Sequence, residues 1–291
     1  SSTGVYAQRF NKKGKKAGAE FRVNTFTADA QEMPATDGLT NGGFVIVWGS
    51  NVQDGALGGT FGQRYNKKGK KVGKEFQVNT VTPQSQWYPD VAATPDGGFV
   101  VAYSSVSGSI PAGTAHVDIL VQRFNKKGKK VGSETRANTF RNTQNPMIAV
   151  LTDGSFVVTW TSYSQKMSYA YSGYGQIFNK KGKRRGKEFL FTSNKNGDQG
   201  TPRLAAMSDG GFVAAWVDAI DFTDSTTNDV RARRYNMKGK PVTKEFPANT
   251  YKTEEQGNPT SIAMEDGQFA IFWHSFAQDG SDYGIFGQRF K

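Results

Sequence analysis

No cysteine occurs in the 291 residues, which excludes disulfide staples, thiolate metal sites and cysteine nucleophiles but leaves the compartment open. Histidine is almost as scarce. His116 and His274 are the only two, set in different parts of the chain without ligand-like spacing, so neither a metal nor another cofactor is expected. No apolar run approaches the length of a membrane span and none has the build of a signal peptide, so the chain reads as soluble. Stretches that favour helix are missing too. With 34 Gly and 21 Phe, and few Ala or Leu, the composition favours short strands joined by tight turns.

Against that sparse background one pattern repeats. Phe44, Phe99, Phe156, Phe212 and Phe269 recur at intervals of 55 to 57 residues, each ten residues after a proline: Pro34, Pro89, Pro146, Pro202 and Pro259. A glutamine stands two or three residues before each proline, as Gln31, Gln86, Gln144, Gln199 and Gln256. Five registered copies identify one repeated structural unit.

The second copy shows the unit most clearly. Pro89-Asp-Val-Ala-Ala leads into the turn Pro95-Asp-Gly-Gly98, and Phe99-Val-Val-Ala-Tyr103 runs back, which predicts a hairpin of strands a and b. Val117 to Phe124 and Glu134 to Asn138 form a second hairpin, strands c and d, around Asn125-Lys-Lys-Gly-Lys-Lys130. A four-stranded antiparallel sheet cannot bury both faces alone, so five of them predict an all-β, five-bladed β-propeller of four-stranded blades. An open β-solenoid is the structural alternative. The expected domain is the whole chain, 1–291, with repeats near 26–80, 81–139, 140–193, 194–250 and 251–291, the last closed by 1–25.

Strand c, however, occurs six times, from Tyr6-Ala-Gln-Arg-Phe10 to Phe286-Gly-Gln-Arg-Phe290, whereas a, b and d occur five times each. Closure predicts that Pro259 to Trp273 joins the strand around Glu20 to Asn24, leaving one strand c surplus. It is displaced, or pairs with a neighbour's edge, or marks an excerpt from a longer array.

Gly97-Gly-Phe-Val-Val, Gln278-Asp-Gly-Ser-Asp-Tyr-Gly-Ile-Phe-Gly-Gln-Arg-Phe290 and Val72-Gly-Lys-Glu-Phe-Gln-Val-Asn-Thr80 resemble the GGFVVVW, QDGxxxGIxGQRF and VGxEFxVNT repeats of large bacterial secreted or surface proteins. The resemblance spans essentially the whole chain. It implies propeller-like tandem β-structure, an extracellular or cell-surface location, and a loose association with adhesion or matrix roles. The c–d turn departs from that pattern, because here it is packed with lysine.

The formal charge of +12 resides in those turns: Lys12, Lys13, Lys15, Lys16; Lys67, Lys68, Lys70, Lys71; Lys126, Lys127, Lys129, Lys130; Lys180, Lys181, Lys183, Arg184, Arg185; and Lys238, Lys240. They supply 19 of the 37 basic residues, so the rest of the chain is acidic, with 18 bases against 25 acids. In a propeller the a–b and c–d turns share one face. The opposite face collects Asp29, Glu32, Asp54, Asp90, Asp118, Asp198, Asp221, Asp224, Asp229, Glu254, Glu255, Asp279 and Asp282. A ring of lysines predicts attraction to a polyanion by counterion release, without base-specific reading. For any single turn, the plain alternative is a solubilising β-turn that protects strand edges.

Trp48, Tyr103, Trp160, Trp216 and Trp273 share one register at the end of strand b, where alternating apolar residues favour core packing over sugar stacking. Trp87 and Tyr88 have no counterparts in the other copies and are the candidate ligand contacts. Recurrent Gln-Arg in strand c and Glu in strand d read as cross-strand Arg–Glu pairs. Propeller glycosidases need paired carboxylates, hence acids specific to single repeats. Asp90 and Asp218 are of that sort, yet nothing marks them as a pair. The expectation is therefore not an enzyme. It is an extracellular adhesion or matrix module without catalytic residues whose lysine turns hold anionic polysaccharide, cell envelope or another polyanion. The alternatives are a self-assembling homo-oligomer that stacks basic on acidic faces or exchanges strands, and a multivalent lectin.

Overall fold

The computed structural model describes residues 3–55, 57–82, 84–108, 116–163, 165, 170–192, 198–219 and 228–291. Asp221 and Asp224, assigned above to the acidic face, lie outside these. The described residues fall into two compact units, Ser1–Arg136 and Ala137–Lys291.

The first unit holds three antiparallel sheets. β1 (Tyr6–Ala7) pairs with β2 (Phe21–Arg22). The second sheet runs in the order β3 (Gln31–Gly38), β4 (Phe44–Ser50), β5 (Gly59–Tyr65), β6 (Lys71–Gln77). The third does the same with β7 (Gln86–Ala93), β8 (Phe99–Ser107), β9 (His116–Phe124) and β10 (Lys130–Arg136). In the second unit, β11 (Thr143–Val150) to β14 (Arg184–Leu190) form one four-stranded sheet, with β12 (Phe156–Tyr163) and β13 (Tyr171–Phe178) between them. β15 (Asp198–Ala206), β16 (Phe212–Ala219), β17 (Asn228–Tyr235) and β18 (Phe246–Pro247) form another, and β19 (Gln256–Ala263), β20 (Phe269–Phe276) and β21 (Tyr283–Phe290) a three-stranded one. No helix occurs among the described residues, so none is long and apolar enough to cross a membrane.

The fold is all-β, and the sequence repeats coincide with its sheets. The surplus strand c is accounted for differently from the closure expected above. β21 pairs along its whole length with β20, while the N-terminal c and d strands pair with each other. Sheet pairing is thus four complete sheets, one of three strands and one of two.

Each registered residue has a structural cause. The first aromatic of strand b faces the last aromatic of strand c and stacks on it: Phe44 on Tyr65 at 4.8 Å, Phe99 on Phe124 at 4.7 Å, Phe156 on Phe178 at 5.0 Å, Phe212 on Tyr235 at 5.0 Å and Phe269 on Phe290 at 5.2 Å. The prolines mark β-bulges. Met33, Tyr88, Asn145, Thr201 and Asn258, each just before its proline, have left-handed φ of 54°, 53°, 54°, 50° and 44°, and the ladder register slips there in all five sheets. A bulge is where a strand tolerates a residue without an N–H. The glutamines hold the d–a connections from inside. Gln31 Oε1 accepts from Asn24 Nδ2 at 2.9 Å and Gln86 Oε1 from Asn79 Nδ2 at 2.8 Å, with both glutamines buried.

The strand-b aromatics are core, as their alternation predicts: Trp48, Tyr103, Trp160 and Trp216 have no exposed surface and Trp273 is 6% exposed. Sheets stack face on face in each unit. Val45 and Val47 of β4 pack on Val91, Phe99, Val101 and Tyr103, and Val213 and Ala215 of β16 pack on Phe269, Ile271 and Trp273.

The expected Arg–Glu pairing is corrected in most repeats. Glu75 Oε2 accepts from Thr25 N and Oγ1 at 2.7 and 2.8 Å, Glu188 Oε2 from Thr139 N and Oγ1 at 2.8 and 3.0 Å, and Glu134 Oε1 from Thr80 N at 2.5 Å. The strand-d glutamate thus clamps the preceding repeat. Glu245 does meet arginines, Arg231 at 3.4 Å and Arg233 at 3.7 Å. Arg9 instead reaches the carbonyls of Lys67 and Lys68 in the next turn. A carboxylate spanning two sheets satisfies orphan backbone donors that a cross-strand pair would leave unmet.

Candidate functional site

The lysine turns are five copies of one structure. Asn66 Oδ1 accepts the N–H groups of Lys68 and Lys70 at 2.9 and 3.1 Å, and Gly69 takes the left-handed φ of 78° that closes the reversal. Asn11, Asn125, Asn179 and Asn236 do the same. The lysine side chains stand exposed, from Lys12 to Lys240. Some of the basic groups are engaged in the scaffold: Lys130 Nζ donates to Asn79 O and Thr80 Oγ1, both at 3.1 Å, Arg184 to Asn138 O at 3.2 Å, and Arg185 lies 3.4 Å from Asp153.

Trp87 and Tyr88 lie in β7 rather than in a loop, and their roles diverge. Tyr88 is the exposed bulge residue. The Trp87 indole lies across Gly49 and Gly58 of the preceding sheet, so close that a Cβ at Gly58 would sit 2.7 Å from it. It is a half-buried filler.

Among the described residues, the second unit shows the same slot without a filler. Register places Gly200 and Gly257 where Trp87 stands. They face Thr161 and Tyr171 in one slot and Val217 and Asn228 in the next, and all six residues line a cavity of about 300 Å³. Two carboxyls line it too, Asp198 and Glu255. Asp198, half-buried at the start of β15, accepts the Tyr171 N–H on Oδ1 at 2.6 Å. Burial pushes its carboxyl above the usual aspartate range, and the N–H bond offsets only part of that rise. Glu255 accepts the Tyr283 hydroxyl on Oε2 at 2.7 Å, and its Oε1 lies 3.7 Å from His274 Nε2. The bond to Glu255 raises the Tyr283 phenol above its ordinary value, so the phenol keeps its proton and remains a donor. His274 is wedged against Gly257, where any Cβ would collide with its ring.

Neither of the acids singled out from the sequence supplies this chemistry. Asp218 is fully buried, 2.5 Å from Arg231 Nε and bonded by Gln199 Nε2 at 3.2 Å, and Asp90 lies in the first unit. Asp198 and Glu255 were placed only among the acids of one face. A sharper signal exists. The residue before the registered glutamine is Ala30, Ser85 and Thr143 in three repeats, and Asp198 and Glu255 in the other two.

Solved structures share this architecture. The GH93 α-L-arabinofuranosidase of Fusarium graminearum, solved with arabinobiose, matches with a TM-score of 0.59 at 13% identity over 88% of this chain and 80% of its own. The endo-arabinase of Bacteroides thetaiotaomicron gives 0.50 at 13% identity over 89% and 93%, and a Dyadobacter fermentans protein of unknown function 0.51 at 11% over 89% and 94%. The likeness is one of fold. No family model matches the chain, and no curated protein matches it in sequence.

Solved neighbours of this fold carry the names of glycoside hydrolases, which corrects the expectation of a non-enzymatic adhesion module. The asparagine and glycine recur because identical reversals need identical turn chemistry.

Proposed function

We propose that this protein is a carbohydrate-active enzyme that hydrolyses glycosidic bonds, its five repeats serving as the blades of one five-bladed propeller and its chemistry residing in the cavity of the second unit. The observation that carries this reading is the convergence of Asp198 and Glu255 on one cavity, at a register where the other repeats have no acid. Glycoside hydrolysis needs two carboxyls in different protonation states, and environment sets the difference. Asp198, held above the usual aspartate range by burial, is the acid that protonates the leaving oxygen. Glu255, oriented by the Tyr283 hydroxyl, is the base that activates water. A polysaccharide or oligosaccharide is the partner this chemistry requires.

Release of reducing sugar from arabinan, xylan and their oligosaccharides tests the reading. Asp198→Asn and Glu255→Gln are each expected to lower kcat by about 10²–10⁴, with the fold intact by circular dichroism. Because Asp198 acts while protonated, activity falls as pH rises through its elevated pKa, and this alkaline limb disappears in Asp198→Asn. Unchanged hydrolysis in both variants, or none with the unaltered protein on any of these substrates, defeats the assignment.

A further inference from the structure

All five bulge residues adopt the same left-handed conformation, so the scaffold requires the backbone but not the side chain. Glycine would meet the backbone requirement with least strain, and a β-branched residue there is the most strained choice. The two units have chosen differently. The first carries Met33 and Tyr88, both exposed. The second carries Asn145, Thr201 and Asn258, all able to hydrogen-bond and all lining the cavity. Thr201 Oγ1 is buried there with no partner among the described residues while its own N–H is spent on Thr161 Oγ1 at 3.2 Å, and Asn228 Oδ1, also in the lining, is buried and likewise has none among them. Buried polar atoms without partners cost stability, and ligand hydroxyls are a way to satisfy them. Among the described residues that line the cavity, two are carboxyls and none is lysine or arginine.

We propose that these bulge residues, with Asn228, form a recognition collar for one uncharged sugar ring, and that the same cavity rejects uronates. The volume of about 300 Å³ lies at the small end of ligand pockets, which suits a single ring more than a bound chain. Amides and a hydroxyl supply both donors and acceptors, as vicinal ring hydroxyls demand. A uronate carboxylate would enter beside the carboxyls of Asp198 and Glu255, a juxtaposition of like groups that disfavours it.

This inference rests on reading the cavity as a sugar site, and the test separates the two. Arabinobiose, xylotriose and trigalacturonate are titrated calorimetrically against Asp198→Asn protein, which removes turnover. Thr201→Val keeps the branched shape and removes only Oγ1, and Asn258→Gly removes the amide while easing the left-handed backbone. Each is expected to weaken binding of a neutral sugar about 5- to 10-fold, and the pair together about 30-fold or more. Met33→Ala, at the equivalent bulge of the first unit, leaves binding unchanged, and trigalacturonate gives no heat. The collar is overturned if Thr201→Val and Asn258→Gly bind like the parent, if trigalacturonate binds as tightly as the neutral sugars, or if neither neutral sugar binds. Collar-dependent binding in a protein whose unaltered form releases no sugar would support the collar and defeat the catalytic assignment alone. Asp198-dependent hydrolysis with binding indifferent to both collar variants would do the reverse.

Discussion

The two units treat one slot between neighbouring sheets in opposite ways. In the first, the Trp87 indole covers Gly49 and Gly58, and the slot is packed. In the second, the equivalent residues are Gly200 and Gly257, and the glycine partner of the tryptophan has become Tyr171 or Asn228. Removing the filler and adding polar walls turns a packing interface into a cavity, while the ladder, the bulge and the buried strand-b aromatic stay the same. A repeat scaffold therefore gains a site by substitution at a handful of positions, because the backbone there is held by contacts that those positions do not make.

The packed slot can be transplanted. Gly200→Trp with Tyr171→Gly rebuilds the Trp87 arrangement inside the second unit and is expected to abolish hydrolysis by at least about 100-fold, the largest effect, through loss of substrate access. Retained sugar release with an unchanged circular dichroism spectrum would break the equivalence of the two slots. The reverse change, Trp87→Ala, opens the slot in the first unit. It should cost about 2 kcal/mol in urea denaturation, below the usual range for a fully buried tryptophan because this one is half-buried, and leave hydrolysis untouched.

The smallest effect concerns the carboxyl that replaces Ala30 and Ser85 at their register. A carboxyl whose folded pKa is raised weakens the fold when ionised, so its penalty is absent below the ordinary aspartate pKa of about 3.9 and grows as pH rises through the folded value. Asp198→Asn should then melt about 1–2 °C higher than the parent at pH 7, a gain kept small by solvent screening of a half-exposed group. The gain should vanish below about pH 4. Melting curves that show equal Tm at both pH values would mean Asp198 bears no desolvation penalty.

Much of this was legible in the chain. Phe44 and its four counterparts announced the second strand of each sheet, and the strand-b tryptophans announced the core, because alternation and turn residues act locally. The prolines gave the register but not the bulge, since a left-handed residue before proline is visible only in the paired ladder. Asp198 and Glu255 were legible in principle, each standing immediately before a registered glutamine. In the sequence alone they are indistinguishable from solvated surface, because acids on a common face reveal their depth only once folded. Trp87 misled for the opposite reason: a tryptophan with no counterpart suggests a contact, and its partners Gly49 and Gly58 belong to another repeat.

By itself the sequence determined the repeat, its strands, its turns and the residues of its core, since each depends on patterns a few residues long. Only the tertiary structure decided which slots are full and which are open. That outcome depends on whether a side chain from one sheet meets glycine, tyrosine or asparagine on the next, and a cavity belongs to no single stretch of chain. Each lysine turn, the most conspicuous feature of the sequence, is a reversal held by asparagine and glycine, whereas Asp198 and Glu255, far apart in the chain, are brought to one cavity by folding.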